Sequence, residues 1–127
     1  MIFIDTNVAI DLRDDPALHG PRIVKVTASP VISLITRIEL ESGVERNPAF
    51  SPMRRSLLTV MLRKTEVVML TLADVEVYGR LVAALGFDRR RVLDRLIASQ
   101  VLSRGASLVT ANAPDFADVP GLRLIAW

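Results

Sequence analysis

Four acids stand where a folded chain would struggle to keep them: Asp5, Glu39, Asp94 and Asp115. Asp5 ends the apolar run Ile2-Phe3-Ile4. Glu39 lies on its helix away from Arg37, Glu41 and Glu45, near Ile35, Ser42 and Gly43. Asp94 falls inside an apolar arc formed by Leu93, Leu96, Ile97, Ala98, Val101 and Leu102. Asp115 follows the apolar stretch Ser107 to Thr110. A lone buried carboxylate costs several kcal/mol unless it is protonated, paired or bound to a metal.

Each acid has a plain structural reading too. Asp5 could cap the helix that follows it. Glu39 completes Thr36-Arg-Ile-Glu39, the pattern of a capping box, although Leu34 and Ile35 suggest a helix already begun. Asp94 could pair with Arg90 one turn back or with a helix N-terminus, and Asp115 could be a turn residue. Taken together, the four can converge on one edge of a sheet. Two carboxylates about 5 Å apart repel by roughly 3 kcal/mol at an effective dielectric near 20. Four would hold together only around cations or extra protons. With no cysteine and a single histidine, His19, the donors are hard oxygens. They suit Mg²⁺ or Mn²⁺ and not zinc. The chemistry such ions do best is in-line attack of water on a phosphodiester, with attacking and leaving oxygens held by metal.

The elements that must position these acids alternate along the chain. Residues 2–5 read as a buried strand and 6–13 as a short helix, with Pro16 opening a new helical turn. Gly20-Pro21 is expected to interrupt it. Ile23, Val24 and Val26 then mark a short buried helical piece that Ala28-Ser29-Pro30 ends. Val31-Ile32 is a very short second strand. A helix over 34–46 places Ile35 and Ile38 on one side. Asn47-Pro48 and Ser51-Pro52 make a loop or helical start, and Met53, Leu57, Val60 and Met61 repeat at helical spacing to about 64. Residues 66–70 form a third strand. A helix over 73–85, with a stripe of Val75, Tyr78, Leu81, Val82 and Leu85, is capped by Gly86. A further helix over about 90–104 is closed by Gly105. Residues 107–110 form a fourth strand, 112–120 a loop and 122–125 a last short strand. This is the pattern of a parallel α/β sheet with right-handed crossovers in one domain over 1–127. In such a sheet the site lies beyond the carboxyl ends of the strands.

Composition removes several classes. The chain is half hydrophobic and about a quarter charged, which is globular. No apolar run approaches the ~20 residues of a membrane span, and no secretory signal is visible, so a cytoplasmic protein is expected. The cations are almost all arginine, with only Lys25 and Lys64 otherwise. Arg54-Arg55 with Arg63-Lys64, and Arg89-Arg90-Arg91 with Arg95, suit bidentate phosphate contacts, though solvated helix faces look the same in sequence. No aromatic residues interleave with them, which gives base stacking little support.

Four segments in order resemble the PIN domain, and within it the VapC-type toxins of prokaryotic toxin–antitoxin pairs. They are Ile2-Phe-Ile-Asp5-Thr-Asn-Val, Ile32-Ser-Leu-Ile-Thr36-Arg-Ile-Glu39-Leu-Glu-Ser-Gly43, Asp94-Arg-Leu-Ile-Ala98 and Leu108-Val-Thr110-Ala-Asn112-Ala-Pro-Asp115-Phe116. The resemblance implies a PIN-like α/β fold, with a short parallel sheet flanked by helices. It implies a Mg²⁺-dependent endoribonuclease (Mn²⁺ as an alternative) acting on RNA, a cognate antitoxin and a homodimer. Asp5, Glu39 and Asp94 fall on the family's first three metal-binding acids and Asp115 on the usual fourth. Thr6 and Asn7 match positions that support the first acid, and Thr110 a hydroxyl beside the site. Asn112 stands where some members carry an acid, which leaves open whether Asn112 or Asp115 completes a second metal site. Residues 48–64, with Met53, Leu57, Leu58 and Met61, are the candidate contact with antitoxin or dimer mate, or else core. Two other classes compete: a non-catalytic RNA- or protein-binding module of the same fold, and a phosphoacceptor receiver domain. The receiver would want adjacent acids after the first strand and a lysine after a late one, and Thr6-Asn7 stand there instead.

Overall fold

The computed structural model describes residues 1–127. Its sheet has five parallel strands: β1 (Ile2–Ile4), β2 (Val31–Ser33), β3 (Glu66–Val68), β4 (Ser107–Thr110) and β5 (Arg123–Ala126). Their spatial order is β3-β2-β1-β4-β5. Phe3 pairs with Val31 on one side and with Leu108 on the other. The chain builds outward from β1 through β2 to β3, then crosses back to place β4 on β1's free edge. The strand order thus reverses at β1, and the carboxyl ends of β1 and β4 flank the crevice where such sheets bind ligands.

Alternation along the strands supplies two cores. Phe3, Val31, Val68 and Leu108 point to one face, where they meet Leu81, Ile97, Ala98 and Val101. Those four come from α5 (Leu72–Leu85) and α6 (Val92–Ser103). Ile4, Ile32 and Val109 point to the other face, against Val8, Ile23, Leu40, Val44, Leu58 and Met61. These belong to α1 (Thr6–Asp14), α2 (Pro16–Val24), α3 (Leu34–Glu45) and α4 (Ser51–Leu62). Strands covered on both faces read as unbroken apolar runs, as Ile2 to Ile4 does. Burying a side chain such as Phe3 or Leu108 contributes about 1.5–3 kcal/mol.

Several local expectations need correction. Gly20-Pro21 does not interrupt α2, and Pro21 lies inside it. The helix starts from a firm cap, in which Asp15 accepts from the Leu18 N–H, and Ile23 anchors its end in the core. Val24, expected buried, is 64% exposed, because α2 offers the core only a narrow stripe. In α3 the buried stripe runs through Thr36, Leu40 and Val44, so Ile38 is 51% exposed and not inside with Ile35. Val75 is exposed, and Leu81 carries the buried face of α5. Residues 89–91 form a 3-10 turn leading into α6. The expected loop over 112–120 contains a one-turn helix, α7 (Ala113–Phe116), nailed down by buried Phe116.

Candidate active site

Asp5 leaves β1 and caps α1, so its structural reading holds and puts it at the sheet's edge. Its backbone N–H donates to Val109 at 2.9 Å, locking β1 to β4. One carboxylate oxygen accepts from the Thr6 N–H at 2.8 Å and the other from the Thr110 hydroxyl at 2.9 Å. The residue is 5% exposed. Each oxygen still has a lone pair to give. Asn7 faces solvent.

Glu39 reaches the same edge from the middle of α3. The Thr6 hydroxyl donates to it at 2.8 Å and lies 3.3 Å from the Thr36 hydroxyl. One threonine thus ties the second acid to the first. The capping-box reading of Thr36 fails here. Ser33 is the cap, accepting from the Ile35 N–H, and Thr36 is buried inside the helix.

Asp94 stands in the first turn of α6 and is half-buried. Only burial and neighbouring charges act on it, with no hydrogen bond to the carboxylate. Of its two expected structural partners, Arg90 is not its cation, whereas the N-terminal turn of α6 does carry it; the cation that acts on it is Arg91. The Arg91 guanidinium donates instead to the backbone carbonyl of Asp115 at 3.0 Å. Asp115 sits exposed in α7, and its charge is felt by both Asp5 and Asp94. Asn112 precedes α7 without capping it by its side chain, and its N–H donates to Thr110 Oγ1.

The electrostatics set these acids apart from ordinary ones. Burial pushes the Asp94 carboxyl up to about 6; Asp5, Asp115 and Glu39 add to the rise, and Arg91 opposes it. Asp5 is raised by burial and by Asp115, against the pull of its two hydrogen bonds. Glu39 is raised by burial and by Asp5, against its bond from Thr6. Asp74 shows the other outcome. It is fully buried, in a place sequence reasoning did not single out. Burial alone would raise it, but bonds from Arg104, Ser103 and Thr71 outweigh that and hold it below the usual carboxylate range. A structural buried acid in this protein is saturated with donors, whereas Asp94 has other acids for neighbours.

The donor set fits a hard divalent cation. No three acids are already drawn in to ligand distance around one point. Mutual repulsion opposes that convergence, and a cation between the carboxylates would reverse the sign of the force. The carboxylates of Asp94 and Asp115 accept no hydrogen bond, while Asp5 and Glu39 are held by threonines.

A pH dependence follows. Asp94's folded pKa lies above its unfolded value, so its ionisation disfavours the folded state. That penalty is absent below about pH 4 and complete above about pH 6. Asp74 is shifted the opposite way, so its stabilisation is lost as pH falls through its depressed folded value. In chelator, wild type should therefore lose stability relative to Asp94→Asn as pH rises from about 4 to about 6. Urea denaturation of both proteins across that range checks it, and parallel curves would contradict a raised Asp94 carboxyl.

Residues 2–122 match the PIN domain family model. The chain is 30% identical over 128 residues to the tRNA(fMet)-specific endonuclease VapC of Shigella flexneri, covering 98% of this chain and 96% of the relative. It is 28% identical over 131 residues to Ribonuclease VapC2 of Rickettsia felis, with the same coverage. Among solved structures, the DNA-bound VapBC of Salmonella typhimurium superposes with a TM-score of 0.85 at 27% identity, over 99% of this chain and 97% of that one.

Proposed function

Since the chain belongs to the PIN domain family, we propose that it is a divalent-metal-dependent endoribonuclease, the toxin of a VapBC-type pair. The observation that carries this reading is Asp94: a half-buried acid raised by burial and by three neighbouring acids, with no hydrogen bond to satisfy it. The endonuclease and ribonuclease relatives support RNA as the substrate.

Asp5, Glu39 and Asp94 would hold one or two Mg²⁺ or Mn²⁺ ions, with Asp115 at the open side. A bound ion supplies Lewis acidity toward phosphate oxygens and makes water a stronger acid. The chain does the positioning. Thr6 orients Asp5 through its N–H and Glu39 through its hydroxyl, and Thr110 fixes the second oxygen of Asp5. Arg89 and Arg90 lie exposed on the turn that leads to Asp94, placed for phosphates flanking the scissile bond. His19 packs against Trp127.

The purified protein should cleave single-stranded RNA in Mg²⁺ or Mn²⁺, stop in excess EDTA, and recover when metal is restored. Millimolar Mn²⁺ should also raise the thermal midpoint, since a ligand that binds only the folded state stabilises it. A folded protein that cleaves nothing at any metal concentration would reject the proposal. RNA binding that ignores EDTA and never leads to cleavage would favour the non-catalytic module.

The antitoxin is proposed to lie along one surface. Residues 48–64 divide between two roles. Leu58 and Met61 are buried in the core, while Met53 is 56% exposed. Leu57 joins two grooves: one of about 420 Å³ lined by Leu12, Ile23, Val24, Val60 and Met61, the other by Phe50, Met53 and Arg54. A homodimer remains part of the proposal. No helix is long and apolar enough to cross a membrane.

A further inference from the structure

Two arginines one turn apart, at the start of α6, both reach across to the segment that carries Asp115. Arg91 donates through Nη1 to the Asp115 carbonyl at 3.0 Å. Arg95 grips Asp118 with both ends of its guanidinium, each at 2.7 Å, and its side chain is almost fully buried. Between these two grips lies Phe116, buried against Ile97 and Ala98 of the same core. α7 itself is a single turn with no side-chain cap, so little within it fixes its orientation.

Arg91 pairs loosely with Asp88, Nε to Oδ2 at 3.6 Å, and with none of the four acids of the site. It lies three residues before Asp94 and acts on it only through space. Its hydrogen bond goes to a main-chain carbonyl, so it consumes none of the carboxylate lone pairs of Asp94 or Asp115. A neutralising partner would have bonded the acids. A tether to the backbone sets where Asp115 stands relative to Asp94.

We infer that Arg91 is a positioning residue: through the Asp115 carbonyl it fixes α7 against α6, so that the Asp115 carboxylate faces Asp94 across the divalent-cation site, with the Arg95–Asp118 pair as the second anchor. This rests on the proposed metal site, and the test separates the two. Mn²⁺ binding to the intact protein is measured by calorimetry for wild type, Arg91→Ala, Asp115→Ala and the double variant. Loss of a group that orients a metal ligand weakens affinity by about 10–100-fold. Arg91→Ala and Asp115→Ala should each fall in that range, and the double variant should be no weaker than Asp115→Ala alone. Multiplying losses, or an Arg91→Ala that binds as wild type, would overturn the role of Arg91 while leaving the metal site in place. Absence of Mn²⁺ binding by wild type would remove both.

A second arm needs no metal. Amide exchange at residues 115–117 in EDTA should speed up about tenfold in Arg91→Ala, and in Arg91→Met, which keeps the aliphatic stem, with exchange in β1 and β4 unchanged. Unchanged exchange at those amides would contradict the tether. A gel shift in EDTA covers the remaining alternative. If Arg91→Ala weakens RNA binding there and lowers its salt dependence by about one charge, Arg91 is a phosphate contact and the inference is wrong.

Discussion

Asp94→Asn should lower RNA cleavage by about 10³-fold or more, the upper scale for losing one preorganised charge-stabilising group, while the folded protein is at least as stable as wild type. The two halves belong together. The carboxylate is half-buried, accepts no hydrogen bond and is repelled by Asp5, Asp115 and Glu39. Removing its charge relieves that repulsion at near-constant shape, so the metal-free thermal midpoint should hold or rise. The same change takes away a carboxylate that no hydrogen bond ties down. Side-by-side measurement of cleavage rate and melting in EDTA decides it. Full cleavage by the variant would reject Asp94's role, and loss of cleavage with a collapsed midpoint would make Asp94 a structural acid.

Asp74→Ala should do the reverse. Asp74 caps α5 in a box with Thr71 and takes bonds from Ser103 and Arg104 at the far end of α6. Removing it leaves the Arg104 guanidinium, only about a fifth exposed, facing a hole. Breaking a buried pair from one side costs about 3–5 kcal/mol, and partial access of water to Arg104 places this case near the lower end. A midpoint lowered by roughly 10 °C is expected. Cleavage per folded molecule should stay at the wild-type level, because Asp74 lies in the α5–α6 network and not among the four acids. A midpoint within 2–3 °C of wild type, on the order of a surface substitution, would mean the network stabilises little.

Much of the arrangement was legible in the residues. Apolar runs broken by one acid marked the strand ends, and helical projection exposed Asp94 as misplaced. What stayed hidden depends on partners far along the chain. The Thr71-x-x-Asp74 box is local, but the burial of Asp74 depends on Arg104, thirty residues on. Arg91 and not Arg90 acts on Asp94: the one-turn spacing from Arg90 presumes a continuous α-helix, and residues 89–91 form a 3-10 turn instead. The exposure of Val24 and Ile38 reflects which stripe of α2 and α3 meets the core, which periodicity within one helix does not contain. Alternating strands and helices announced a parallel sheet, whereas the order β3-β2-β1-β4-β5 follows from which edge of β1 is free when β4 arrives.

Crystals of the protein grown with Mn²⁺, with data collected at the manganese absorption edge, test the acidic site most directly. An anomalous peak bonded by Asp5 and Asp94, with Glu39 or Asp115 completing the shell, is the expected result. Manganese bound elsewhere, or an acidic crevice empty at saturating Mn²⁺ with the same four side chains ordered, would contradict it.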